Sequence, residues 1–265
     1  MNTVPPMTQP VFPTSLHRAA AEAVYDFFSA EPQIDTVLVV NSCARGTAVA
    51  ESDLDFAILA KPETSAAERS VMESAWKKHL NEHAPLKRFT QSHPFAKIHL
   101  DVISGQYEPG IWDDGGGPDY FEVEIGNQVF YSAVMGETGV YFTQLRQRWL
   151  PYYDESLRLE RLEMVKQACL YDLSHISHFV KRNLHFQAFD RLYKAFQEFL
   201  QAVFIQNKTY PIAYNKWIKE QVDQWLCLPD LYTRLSPVLS VSSIESEELN
   251  AKAEMLKALV TEFLF

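Results

Sequence analysis

The chain has 265 residues, 47% hydrophobic and 22% charged, with 24 Lys+Arg against 34 Asp+Glu and a formal net charge of −10. That length suits one large or two modest domains, and the apolar share supports a buried core, which excludes a disordered or collagen-like chain. No apolar run reaches the ~18–20 residues of a membrane span, and the opening Met1-Asn2-Thr3-Val4-Pro5-Pro6 lacks the basic and apolar regions of a signal peptide. Cys43, Cys169 and Cys227 are odd in number and in no metal spacing, which fits a reducing cytoplasm. The acidic balance argues against a large nucleic-acid footprint, while leaving room for a small nucleotide in a local basic pocket or for a cationic substrate.

After a Pro-rich lead-in from Pro5 to Pro13, Thr14 or Ser15 is placed to cap a helix whose apolar stripe is Leu16, Ala19, Ala20, Ala23, Val24, Phe27 and Phe28, ended by Glu31-Pro32. Thr36–Asn41 and Asp53–Leu59 read as short buried strands joined by a polar turn region, Ser42–Ser52. Ser65 and Glu68 form a capping-box pattern that predicts a helix to about His83. In Lys97–Ser104 the residues Lys97, His99 and Asp101 alternate with Ile98, Leu100 and Val102, the period of a half-buried strand. Asp113–Asp119 is a loop by composition, and Phe121–Tyr131 reads as a further strand or extended segment. Beyond about Leu150 helical periodicity takes over, in Asp154–Leu184, Gln187–Gln206, Ala213–Leu226 and Ser243–Leu264, with breaks at Asn183, Asn207, Tyr210-Pro211 and Pro229. The expected architecture is therefore α+β: a mixed sheet flanked by helices over residues 1–150, followed by a helical bundle over 151–265.

The chemistry concentrates in residues 37–57. A strand ends in a small-residue turn containing Ser42, and after a ten-residue spacer Asp53 and Asp55 stand two apart on the next strand, so both carboxylates face one side. Paired carboxylates repel unless a cation lies between them, and Mg²⁺ with phosphate suits such hard oxygen ligands. Asp101 on the later strand offers a third carboxylate. His175 and His178, one helical turn apart, find no further ligand nearby in the sequence and are expected to pack in the bundle.

Ser42, Arg45-Gly46-Thr47-Ala48, Ser52-Asp53-Leu54-Asp55 and Asp101 together resemble the nucleotidyltransferase superfamily, the polymerase-beta-like fold. One departure is Asn41, where that family has Gly. The resemblance implies transfer of a nucleoside monophosphate from a triphosphate, ATP being the default. In that scheme Asp53 and Asp55 bind Mg²⁺, Ser42 and Arg45 hold phosphate, and Asp101 is a metal ligand or the general base. Glu122 or Glu124, on one face of the expected strand near Asp113, Asp114 and Asp119, are alternative bases beside an acidic surface suited to a cationic acceptor.

The segments 182–194 and 210–218 resemble the C-terminal helical domain of small-molecule nucleotidyltransferases such as the aminoglycoside adenylyltransferases. By that resemblance Lys194 and Lys216, then Arg191, are the candidate cations for the triphosphate, with Tyr210 or Tyr214 near the base or acceptor. The expected partners are thus a nucleoside triphosphate and a small hydroxylated acceptor, aminoglycoside-like in the leading case, with neither nucleic acid nor membrane. A protein-modifying adenylyltransferase of antitoxin type and a catalytically weakened nucleotide-binding regulator are the alternatives.

Overall fold

A computed structural model of the chain describes residues 6–265; residues 1–5, which carry Pro5 and most of the N-terminal stretch read above for a leader, lie outside the described residues. In chain order the elements are α1 (Ser15–Ser29), β1 (Ile34–Val39), α2 (Asn41–Arg45), β2 (Leu54–Ala60), α3 (Ala66–Glu82), α4 (Ala84–Thr90), β3 (Ile98–Ile103), α5 (Phe121–Ile125, continued as a π-helix over Gly126–Phe130), β4 (Ala133–Met135) and α6 (Val140–Trp149). Then follow α7 (Glu155–Lys181), α8 (His185–Gln206), a second π-helix (Glu220–Trp225), α9 (Pro229–Leu239) and α10 (Glu248–Leu264). The described residues divide into two units, 6–107 with Glu124–Pro151, and Glu108–Val123 with Tyr152–Phe265. The segment 108–123, counted above with the first domain, thus groups with the helical residues. No helix among the described residues is long and apolar enough to cross a membrane.

The first unit is built on a four-stranded mixed sheet in the order β3-β2-β1-β4, with β1 antiparallel to β2 and β4 and with β2 parallel to β3. Alternation along β2 turns Leu54, Phe56 and Ile58 into a core shared with Val24 and Phe28 of α1, Trp76 of α3 and Phe89 of α4. Burying each such side chain contributes roughly 1.5–3 kcal/mol. Thr14 caps α1 by accepting the His17 N–H, and Ser65 and Glu68 close a reciprocal capping box on α3, as their spacing predicts. Leu16, expected in the buried stripe of α1, is exposed. The N-terminus of α6 is capped from β1: Asp35 accepts the Tyr141 and Phe142 N–H groups at 3.0 Å each, and Thr36 Oγ1 accepts that of Gly139 at 2.9 Å.

Two expectations for elements are corrected. Phe121–Tyr131 is helical, because its apolar residues Phe121, Val123, Ile125 and Val129 are all buried along a helical path and no strand pairs with it. The helix expected over Ala213–Leu226 is interrupted at its start. The buried Gln221 carboxamide accepts from Ile212 N and donates to the carbonyls of Ala213 and Lys216, holding 212–216 in an irregular turn around itself.

In the second unit α7 and α8 are joined by the short link Arg182-Asn183-Leu184, in which Asn183 takes φ +58°. Leu173 and Ile176 of α7, Leu192, Phe196 and Phe199 of α8, and Leu256 and Val260 of α10 form its core. His175 is half-buried on α7, its Nδ1 2.9 Å from Tyr171 O, whereas His178, expected to pack in the bundle with it, is exposed. A buried ion pair crosses this unit. Arg161 donates Nε to Glu122 Oε1 at 2.6 Å and Nη2 to Glu122 Oε2 at 2.9 Å and to both Asp119 oxygens at 2.8 Å. Tyr153 OH and Gln201 Nε2 also donate to Glu122, each at 2.8 Å.

Removing one partner of a buried pair leaves an uncompensated charge. Arg161→Met is therefore expected to cost about 3–5 kcal/mol in urea denaturation, and the double variant Arg161→Met/Glu122→Leu is expected to recover most of that loss.

Candidate active site

The site stands at the end of β2 where the Asp-Leu-Asp run is clamped by backbone on both sides. Val40 N donates to Asp55 O at 3.0 Å, and Leu54 N donates to Lys97 O at 2.9 Å. The preceding loop is tied to α1 through His17, which is buried, with Nε2 2.9 Å from Ser52 O and Nδ1 2.7 Å from Thr14 Oγ1. A carbonyl only accepts, so the proton sits on Nε2. Leu54 points into the core while Asp53 and Asp55 stay half-buried on the opposite face.

The parallel register of β2 with β3 sets His99 opposite Asp55 and Asp101 opposite Ala57. Ligand atoms of Asp53, Asp55 and His99 consequently lie within 4.8 Å of one another, and His99 Nε2 is 3.5 Å from Asp53 Oδ2. Asp53 and Asp55 of the expected trio with Asp101 stand in this group. His99 completes the group, while Asp101 lines the same cleft of about 190 Å³ together with Asp55, His99, Asn41, Asn127 and Gln128. His99 shares its strand face with Asp101, so the alternation in Lys97–Ser104 contained the signal; the inter-strand register did not show in it.

On the other side of Asp55 stands α2. Asn41 adopts φ +56°, the left-handed region that glycine enters most readily and Asn better than other residues. Ser42 is half-buried and hydrogen-bonds the thiol of buried Cys43. Burial first, then the charges of Asp55 and Asp53, push the Cys43 thiol up to about 11, against the Ser42 bond. The field of both carboxylates therefore reaches α2. Arg45 Nη2 donates to Thr47 Oγ1 at 3.2 Å within the same turn.

The remaining candidates belong to the second unit, apart from the exposed Glu124. Glu122 is fully buried in the Arg161 pair, so it is a structural anion and no surface base. Asp119 shares that arginine, and Asp114 accepts from Arg191 Nη1 at 3.0 Å, with Arg191 also bonded to Asp172. The expected acidic edge is thus largely neutralised by internal pairs. Lys194 Nζ pairs with Asp190 at 2.8 Å, and Lys216 is exposed. Tyr210 and Tyr214 are buried in this unit, with the Tyr210 ring centroid 4.6 Å from that of Tyr152.

No protein-family model matches the chain, and no curated protein matches it. Among solved structures it is similar to a nucleotidyltransferase-like protein from Exiguobacterium sibiricum, at 12% identity and a TM-score of 0.47, over 94% of this chain and 75% of that one.

Two carboxylates and an imidazole form a donor set that fits a divalent cation. Titration with Mn²⁺ followed by electron paramagnetic resonance is expected to show one site that Asp53→Asn and Asp55→Asn each remove. His99→Ala should weaken it by at least the roughly 10–100-fold that losing an outer-shell partner costs. Asp101→Asn should leave the affinity nearly unchanged. Asn41→Gly, relieving the left-handed strain, is expected to raise stability by up to about 1 kcal/mol in thermal unfolding.

Proposed function

We propose that the chain is a metal-dependent nucleotidyltransferase that moves a nucleoside monophosphate, AMP from ATP in the leading case, to a hydroxyl of a small molecule. The observation that carries this reading is the grouping of Asp53 and Asp55, at the start of β2, with His99, a ten-residue spacer after the turn that bears Ser42. Asp53, Asp55 and His99 would hold Mg²⁺ or a similar divalent cation. Such an ion supplies charge neutralisation on a triphosphate and on the departing pyrophosphate. Ser42 and Arg45, in and just after the α2 turn, would bind phosphate oxygens.

Asp101 lines the cleft without belonging to the cation group, which suits it to base catalysis. In this scheme the acceptor oxygen forms its bond to the α-phosphorus as the bond to pyrophosphate breaks, and Asp101 takes the hydroxyl proton. Asn41 has the backbone conformation that the family's glycine serves, which favours a working turn over a weakened regulator. The roles of Lys194 and Lys216 as triphosphate cations rest on the sequence resemblance, as does the aminoglycoside-like acceptor.

Calorimetric titration with ATP, GTP, CTP and UTP, each with and without Mg²⁺, tests the proposal. The expected result is Mg²⁺-dependent binding of one nucleotide, absent in Asp53→Ala. Binding that persists unchanged in Asp53→Ala, or no binding of any of the four, would overturn it. With the donor known, label transfer from the α-³²P nucleotide to small aminocyclitol sugars or to co-expressed proteins separates a small acceptor from a protein hydroxyl.

A further inference from the structure

Outside this site, one carboxylate among the described residues has both oxygens buried and unpartnered, and it lies in the second unit. Glu198 on α8 is 1% exposed, and neither of its carboxylate oxygens has a hydrogen-bond partner among the described residues. Gln201, three residues on and also 1% exposed, gives its Nε2 to Glu122 and to Asp119 O, while its Oε1 is likewise unpartnered. Glu198 and Gln201 line one small cavity of about 20 Å³ with Trp112, Met164, Val165, Ala168 and Asp119, the last already paired with Arg161. That is room for one water-sized group, which needs about 10–15 Å³.

We infer that this cavity is a binding pocket for the primary ammonium group of a small ligand, with Glu198 and Gln201 as its acceptors and the Trp112 side as the wall for the adjoining carbon. Three buried acceptor oxygens face it without a donor, at a cost that native interiors seldom leave standing. The neighbouring cations are committed elsewhere, Arg191 to Asp172 and Asp114, and Lys194 to Asp190. Against an ionised Glu198, a water molecule has two hydrogens to offer three acceptors. A primary ammonium offers three donors and the positive charge that a buried carboxylate lacks. Burial and then the charge of Asp172 raise the Glu198 carboxyl to about 8, with Arg191 and Lys194 pulling it back, as befits an acid without its counter-ion. The apolar walls and Trp112, itself 39% exposed and edge-on to Tyr171, suit the carbon next to an amine. Glu198, Gln201 and Trp112 have no part in the nucleotidyltransferase reading, so the two stand or fall separately.

The test follows the Gln201 side-chain amide by NMR in the full chain labelled with ¹⁵N-glutamine. n-Butylammonium, n-butanol and tetramethylammonium are the probes, each at millimolar concentration. Saturable shifts are expected with n-butylammonium alone, because the alcohol lacks charge and the quaternary ion lacks N–H donors. Glu198→Gln should weaken the response about tenfold or more, and Ala168→Val, which fills the cavity with Glu198 intact, should do the same even if the first variant folds poorly. Equal response to butanol or to tetramethylammonium, full binding in both variants, or no saturable shift in the unaltered protein would overturn the inference and leave the cavity to a single ordered water.

Discussion

Two carboxylates on the same face of one strand, two residues apart, are the constraint around which the first unit is arranged. Unit charges about 4 Å apart repel by about 1 kcal/mol in bulk water and about 4 kcal/mol in the partly screened surroundings of a protein surface. Asp53 and Asp55 are half-buried, so they fall between these limits. Their separation is held by backbone, with Val40 N on Asp55 O, Lys97 O on Leu54 N, and His17 fixing Ser52 one residue upstream. A strand end clamped in this way does not relax its side chains apart by moving the main chain. A cation between them would relieve the repulsion, and the imidazole of His99 lies in the same group.

Much of this was legible in the sequence because it is local. The alternation in β2 and β3, the capping box of α3 and the long apolar periods of α7 and α8 each depend on residues a few positions apart. What escaped depends on partners far along the chain. Helix α6 has no cap of its own, since Gly139 carries no side chain and its N–H groups are met by Asp35 and Thr36 over a hundred residues upstream. An added Cβ at Gly139 would lie 2.2 Å from the Asp35 carboxyl carbon, so the glycine that hides the helix start is also what admits the distant cap. Pro229 reads as a break, yet it stands at the first turn of α9, where proline lacks only an N–H that the helix does not use. Gln221 overrides the helical period before it because one buried carboxamide satisfies three backbone groups.

The charge pattern shows the same limit. The formal charge of −10 and the run of acids near residues 113–124 suggest an exposed negative field. Yet Asp114, Asp119, Glu122 and Asp172 are bound by Arg161 and Arg191 inside one unit. The conformation of the intervening loop permits this. Gly115 takes φ +71°, and a Cβ there would meet the Arg191 guanidinium carbon at 2.2 Å, so the guanidinium reaches Asp114 only because residue 115 has no side chain. Composition counts charges, whereas pairing decides which of them a ligand can feel.

The division between His99 and Asp101 follows from a register that no single-sequence pattern contains. Both side chains leave β3 on the same face, and a two-residue difference in alignment with β2 decides which of them stands beside Asp55. With His99 there, the third donor is an imidazole, so the group combines hard oxygens with a nitrogen that suits transition metals better than it suits Mg²⁺. Asp101, opposite Ala57, keeps its carboxylate out of that group and inside the cleft. A carboxylate bound to a cation is a poor proton acceptor, because the cation stabilises its charged form. In the proposed scheme, the register that sets His99 beside Asp55 is thus the same one that reserves Asp101 for the proton.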